Sequence, residues 1–276
     1  MSVRVVYSDL DGTMVGPGGC FFRAADRSLT LDPARALLEL HDAGIALVLV
    51  SGRTRQQLVE ACRIFGADGY VGELGAVVGW DGGRSHELLV GEMPPGRGGR
   101  PREVVMATGV VDELLAANAG RVEYHAPWHE GHESDVMLRG WLDTTATDEW
   151  LSRRGLDWLQ VTDNGVLPMV PTPSSLGPSD EPPHVYHLLP RGLSKGLAVA
   201  RDLRRRGLRR ADALAVGDSL SDLTMAPHVG RMWVVAGRGG THPRVLDAMA
   251  ALDNVRLTGE PVGHGWAEAV RDAVTG

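Results

Sequence analysis

Asp9 and Asp11 stand two residues apart in Asp9-Leu10-Asp11-Gly12-Thr13, directly after a short apolar segment. Two carboxylates at the end of an extended segment can converge on one site, where like charges repel. A divalent cation removes that penalty, and hard oxygen ligands favour magnesium. Asp-Gly is also a common turn pair, so the segment read alone serves equally as a solvated turn. A second acidic pair follows another apolar run, in Gly217-Asp218-Ser219-Leu220-Ser221-Asp222. A spacing of four on an opening helical turn puts Asp218 and Asp222 on one side. Helix capping needs one such residue, not two acids behind a glycine. Four carboxylates at two strand ends imply a cation.

Two further clusters could hold an anion. Ser51-Gly52-Arg53 follows the apolar run Ile45 to Val50; Ser51 offers a hydroxyl and Gly52 lets backbone N–H groups come close to an anion. Ser194-Lys195-Gly196 opens a helical pattern and supplies a compact ammonium. Of the 28 Lys and Arg residues, Lys195 alone is lysine. In a chain this biased towards Arg, a single surviving Lys suits a place where a planar fork does not fit. Capping remains an alternative for Ser51, and a solvated helix face for Lys195.

The elements that must position these residues alternate between strand and helix. The pattern predicts a strand over Arg4 to Ser8 and a helix over Pro33 to Ala43, with Ala34, Leu37 and Leu38 at core spacing. The unalternating Ile45 to Val50 run suits a strand buried on both faces of a parallel sheet. A helix over Arg55 to Phe65 and a strand pair within Tyr70 to Trp80, broken at Glu73-Leu74-Gly75, follow. Near Pro94 the composition turns to Pro, Gly and Arg, as in a linker. From there to Pro190 the order changes. A helix is expected over Arg102 to Ala117, strands over Arg121 to His125 and Asp135 to Trp141, and a helix over Asp148 to Arg154. Strands over Leu156 to Val161 and Val185 to Leu189 complete an αββαββ unit. The alternating pattern then resumes with a helix over Leu193 to Arg206, the strand Ala213 to Val216, a helix near Ser221 to Met225 and the strand Met232 to Ala236. Helices over Pro243 to Ala251 and Gly265 to Val274 end the chain. The expected fold class is α/β, a Rossmann-like doubly wound parallel sheet interrupted by an inserted α+β domain. Ligands of such sheets collect at the carboxyl ends of the strands.

In combination, the four clusters resemble the four motifs of the haloacid dehalogenase superfamily: D-x-D-G-T, a strand-terminal Ser or Thr, a Lys, and G-D-x-x-x-D. The inserted segment resembles the class IIB cap of the Cof-type, sucrose-phosphate and mannosyl-3-phosphoglycerate phosphatase group. The resemblance implies a catalytic core of residues 1–91 and 190–276 and a cap of residues 92–189. It implies Asp9 as the nucleophile that forms an aspartyl-phosphate and Asp11 as the acid, then base, for the leaving oxygen and water. It implies magnesium held by Asp9, Asp218, Asp222 and the backbone carbonyl of Asp11, and phosphate held by Gly12, Ser51, Gly52 and Lys195. Arg53 and Arg139 are candidate substrate contacts. The chain departs from the pattern at Leu74, where Glu73-Leu74-Gly75-Ala76 replaces E-N-G-A, and at Ser221, where G-D-x-x-N-D has Asn. The activity implied is magnesium-dependent hydrolysis of a small phosphorylated metabolite, such as a sugar phosphate or glycosyl-phosphoglycerate. A phosphomutase of the phosphomannomutase type is the alternative, and a non-catalytic binding protein a remoter one.

A net charge of -7 argues against nucleic acid or an acidic membrane surface as partner. No apolar run reaches 18 residues, the first residues lack the form of a signal peptide, and Cys20 and Cys62 read as free thiols. The expectation is a cytoplasmic monomer or homodimer acting on a small-molecule phosphate ester. In the inserted domain His125, His129, His132, Arg139, Asp163 and Asn164 are the polar candidates. His129-Glu130-Gly131-His132-Glu133 lacks the His-Glu-x-x-His spacing of a zinc protease and reads as a solvated loop. Trp128, Trp141, Trp150 and Trp158 read mostly as core, though one exposed Trp could stack on a sugar ring.

Overall fold

The structure, a computed structural model, describes residues 2–167 and 169–276. The chain divides into two compact units, one made of the residues up to Glu87 with Ser194–Gly276, the other of Leu88–Leu193.

The first unit opens with β1 (Val5–Ser8), none of whose side chains reaches solvent. Tyr7 is tolerated there because its hydroxyl donates to Asp202 at 2.6 Å. Helix α1 (Asp32–Asp42) starts on Pro33, whose fixed φ and missing N–H suit a first turn. It buries Ala36, Leu37 and Leu40, whereas Leu38 is turned outward at 64% exposure, so the core stripe is displaced from the expected one. Strand β2 (Ala46–Val50) leads into α2 (Arg55–Phe65), which Thr54 and Gln57 cap reciprocally and Gly66 closes in the left-handed region. Strands β3 (Gly69–Gly72) and β4 (Val77–Trp80) pair antiparallel around a turn at Glu73–Gly75. Strand β5 (Ser85–Leu88), not expected from the sequence, ends this half.

The second unit begins with α3 (Pro101–Ala107) and α4 (Val110–Ala117). The single helix expected over Arg102 to Ala117 is therefore two, because Gly109 takes φ +73° and cannot carry an α-helix across. Strands β6 (Val122–Tyr124) and β7 (Val136–Gly140) follow, then α5 (Thr144–Ser152), capped by Asp143 and starting a turn earlier than expected. Strands β8 (Leu159–Val166) and β9 (His184–Pro190) complete an antiparallel sheet of order β6-β7-β9-β8. Val105, Val111, Leu114, Val136, Leu138, Leu151, Leu159 and Leu188 lie in its buried core.

The first unit resumes with α6 (Lys195–Arg206), β10 (Ala213–Gly217), the short α7 (Leu220–Leu223), β11 (Arg231–Ala236) and α8 (Pro243–Met249). Strand β12 (Val255–Pro261), again not expected, runs into α9 (Val262–Thr275). The eight strands form one sheet of order β12-β11-β10-β1-β2-β3-β4-β5. From β12 to β3 every neighbouring pair is parallel. The chain thus runs outward from β1 to one side, then returns to β10 on the other. The boundary between β1 and β10 is the topological switch point, where open α/β sheets bind their ligands. No helix among the described residues is long and apolar enough to cross a membrane.

Candidate active site in the first unit

Register places the acids. Ser8 pairs with Val216, so Asp9 and Asp218 both leave the carboxyl edge of adjacent parallel strands. Ser8 pairs with Leu49 on the other side, which brings the Ser51-Gly52-Arg53 turn to the same edge. Asp9, Asp218 and Asp222 offer carboxylate oxygens that all lie within 4.8 Å of one another.

Lys195 completes the cluster. It is the first residue of α6, where a cation opposes the helix dipole, and its side chain is buried. Neither placement is favourable by itself. What holds it is a pair of carboxylates: Nζ donates to Asp9 Oδ1 at 2.9 Å and to Asp222 Oδ1 at 2.6 Å. Burial pulls the lysine towards neutrality, but Asp222 and then Asp9 more than offset it and hold the ammonium charged. Asp222 spends its other oxygen on the turn, accepting from the backbone N–H groups of Asp218 and Ser219 and from the Ser219 hydroxyl at 3.1, 2.9 and 2.6 Å. Ser221, at the departure from the family pattern, sets its hydroxyl 2.9 Å from that of Ser219.

Two groups not singled out by sequence reasoning take part. Thr13 Oγ1 donates to Asp218 Oδ1 at 3.0 Å. Gly217 carries no side chain because a Cβ there would stand 2.3 Å from Asp222 Cβ. Gly12, at φ +85°, likewise backs onto Asp218, whose Oδ2 would lie 2.6 Å from an added Cβ. Thr13 sits inside the first acidic motif, so its position in that motif was the available signal; Gly217 had none beyond preceding Asp218.

Charge is unbalanced here. Three carboxylates face one ammonium. Burial pushes the Asp9 carboxyl well above its ordinary range despite Lys195. Burial, then the neighbouring Asp222, lifts Asp218 to about 7. A divalent cation among these oxygens removes both the repulsion and the burial cost, so the donor set fits a hard ion such as magnesium.

Asp11 is placed differently. Its carboxylate is 56% exposed and held by a two-point ion pair, Arg53 Nε and Nη2 donating at 2.8 and 2.7 Å. Asp11 and Arg53 therefore neutralise each other, while each keeps hydrogen-bonding capacity beyond the pair. Ser51 is buried, its hydroxyl accepting from the Arg53 N–H at 3.3 Å. Glu73 and Leu74 both lie at positive φ, 49° and 54°, in the turn that departs from the family pattern. Gly75 packs so closely on the Ser194 carbonyl that a Cβ would come within 2.2 Å of it, which ties this turn to the start of α6.

Arg139 does not stand as a free substrate contact. It is buried within the second unit and bonded to Glu123 at 2.6 Å and to the carbonyls of Ala126, Pro171 and Pro173 at 2.9, 3.2 and 3.1 Å. The guanidinium fork ties a proline-rich loop to a strand, and its donors are engaged there. His132 and Glu133 are buried rather than solvated. Asp163 pairs with His184 at 2.8 Å. Among the four tryptophans of this unit Trp158 is core, Trp150 lies under the Arg154 guanidinium, and Trp128 is half exposed.

No family model matches the chain. A curated relative from Methanoculleus marisnigri, a phosphoglycolate phosphatase, is 27% identical over 272 residues, covering 98% of this chain and 96% of its own length. A second phosphoglycolate phosphatase, from Methanospirillum hungatei, is 22% identical with the same coverage. Among solved structures, the sucrose-phosphatase of Synechocystis sp., in complex with sucrose and phosphate, superposes with a TM-score of 0.65 at 15% identity, over 99% of this chain and 98% of that one. A phosphatase of the haloalkanoate superfamily from Bacteroides thetaiotaomicron gives 0.64 at 17% identity, over 99% and 95%. The fold is that of these phosphatases, and the resemblance drawn from the four motifs is borne out.

Proposed function

We propose that this chain is a magnesium-dependent phosphoric monoester hydrolase that works through an aspartyl-phosphate on Asp9. One observation carries the reading: at the switch point of the sheet, Lys195 Nζ is buried between Asp9 at 2.9 Å and Asp222 at 2.6 Å, with Asp218 completing the acidic cluster. Phosphoryl transfer asks mainly for positioning and charge neutralisation, and this cluster supplies both.

Asp9, Asp218, Asp222 and the backbone carbonyl of Asp11 would hold magnesium, which supplies positive charge to the phosphoryl oxygens when bound. A carboxylate oxygen of Asp9 attacks phosphorus, the bond to the leaving oxygen breaks, and Asp11, parted from Arg53 and carrying the proton taken from water in the preceding turnover, gives that proton to the leaving oxygen. Water then attacks the aspartyl-phosphate while Asp11 takes the water proton, and Asp9 is regenerated with inorganic phosphate. Lys195 keeps the Asp9 carboxylate oriented and meets the phosphoryl charge. Ser51, the backbone at Gly52, and Arg53 stand at the same strand edge to receive the remaining oxygens, whereas the Gly12 N–H, expected to do so, donates to the Val15 carbonyl at 3.2 Å. The second unit takes the part of the substrate-selecting cap. A small phosphate monoester is the substrate class, with 2-phosphoglycolate the first to try because full-length relatives act on it.

The test is release of inorganic phosphate from a panel of phosphoglycolate, sugar phosphates and nucleotides, with and without magnesium. Asp9→Asn should abolish turnover and leave the far-ultraviolet circular dichroism unchanged, because a neutral amide does not attack phosphorus. Phosphate release by that variant at the wild-type rate would refute the nucleophile. Transfer between positions of a sugar without net phosphate release would indicate a mutase instead.

A further inference from the structure

Inside the second unit, His132, Asp135 and His187 bring two imidazoles and a carboxylate together with side chains 1%, 0% and 0% exposed. One ligand atom from each lies within 4.8 Å of those of the other two. Asp135 immediately precedes β7, His132 sits one turn before it, and His187 lies in β9, level with Met137 of β7.

The orientation of the rings brings the donors of this trio together. His132 Nε2 is 3.1 Å from the Trp128 carbonyl oxygen, which can only accept, so Nε2 carries a proton. A neutral ring then turns its Nδ1 lone pair towards Asp135 Oδ1, 2.5 Å away. His187 directs its own Nδ1 at the other Asp135 oxygen, while its Nε2 is buried with no hydrogen-bond partner. The two inward nitrogens and the carboxylate thus converge on one buried point, an arrangement that suits a cation.

We propose that His132, Asp135 and His187 bind a divalent transition metal of the zinc class, in a structural role that pins the segment preceding β7 onto β9. Two imidazole nitrogens with one carboxylate oxygen are donors zinc takes readily, whereas magnesium prefers all-oxygen sites. The Trp128 carbonyl is the outer partner that metal-bound imidazoles commonly have, fixing tautomer and ring orientation. The backbone that carries the carboxylate is steadied from outside too: Arg102 Nη1 donates to the Asp135 main-chain carbonyl at 2.8 Å and Arg102 N to the Glu133 carbonyl at 3.2 Å. Zinc bonds these donors at about 2.0–2.2 Å, so its ligand atoms stand about 3 Å apart or more. Metal binding therefore requires the imidazoles and the carboxylate to draw apart from their present contacts. The site is separate from the acidic cluster of the first unit and does not depend on the activity assigned there.

The test uses the full chain carrying Asp9→Asn and Asp218→Asn, which removes the acidic cluster as a competing metal site. The protein is stripped with a chelator, given zinc, freed of loose metal by gel filtration and assayed by mass spectrometry for metal per chain. One retained zinc is expected, with a higher melting temperature, and with visible ligand-field bands when cobalt replaces zinc. Adding His187→Gln should weaken retention by more than the roughly 10–100-fold that loss of an outer partner costs. Should that variant not fold, the cobalt spectrum and the zinc-dependent melting shift of the protein with His187 intact decide the matter. Absence of retained zinc in that protein, or equal retention in a folded His187→Gln variant, would overturn the site.

Discussion

Lys195 shows how one residue can violate two local preferences at once. A buried ammonium on the first turn of a helix is opposed by desolvation and by the helix dipole, and only Asp9 and Asp222 make it stable. Arg cannot replace it, since a planar fork on a longer stem does not fit between two carboxylates already 2.9 and 2.6 Å from a single nitrogen. Lys195→Arg should lower kcat/KM by roughly 10²-fold, as loss of one charge-stabilising donor does elsewhere, with the fold retained by circular dichroism. Unaltered kinetics would show that the identity of the cation is immaterial.

At the scale of elements, each unit is held by a polar knot as well as by its apolar core, buried in the first and reaching the surface in the second. In the first, Asp202 of α6 accepts from Tyr7 of β1, from Trp80 Nε1 of β4 and from Arg206, each at 2.6 Å. Removing the carboxylate leaves two aromatic donors and a guanidinium without their acceptor. Asp202→Ala should destabilise by about 3–5 kcal/mol, read as a lower denaturation midpoint. In the second unit, Glu123 of β6 accepts from Ser174, Ser175 and Arg139. Burial works to raise its carboxyl, but the hydrogen bonds from Ser175, Ser174 and Arg139 outweigh it and hold the group at about 2. The folded chain therefore binds this proton more weakly than the unfolded chain does. The stability so gained is complete above the ordinary value of 4.5 and is lost as pH falls towards about 2. The melting-temperature gap between wild type and Glu123→Gln should accordingly shrink between about pH 6 and pH 3. A gap independent of pH would exclude this linkage.

At the scale of the whole molecule, the second unit is a continuous stretch of chain, Leu88–Leu193, set within a sheet whose strands come from both sides of it. Its two ends are neighbours, since Glu92 N donates to the Arg191 carbonyl at 2.8 Å. With adjoining ends, a four-stranded sheet and its own apolar core, it has what independent folding requires. A fragment of residues 88–193, supplied with zinc, should melt cooperatively with mixed helix and strand content. A fragment lacking any cooperative transition would show that its core depends on the rest of the chain.

Much of this was legible along the chain because it is local. Period and composition mark strands such as Ile45 to Val50, and short motifs bring Asp9 near Asp11 and Asp218 near Asp222 wherever they fold. The α/β class and the interruption near Pro94 follow from the same local signals. The split at Gly109 turned on one backbone torsion, and the outward Leu38 on which helical stripe its neighbours cover. The strands Ser85–Leu88 and Val255–Pro261 are more polar edge elements, whose pairing is decided by adjacent strands. Contacts across the chain outside the four motifs were beyond sequence reasoning. Arg139 and Arg53 look alike as guanidinium groups, yet one is enclosed by a loop 32 to 34 residues away while the other pairs with Asp11 at the strand edge. His132 and His187 are separated by about half of the second unit, and no spacing announces that Asp135 lies between them. The residue types fixed which chemistry was available, because charge and donor character belong to side chains; only the folded chain decided which of them meet, because contact depends on strand order and register.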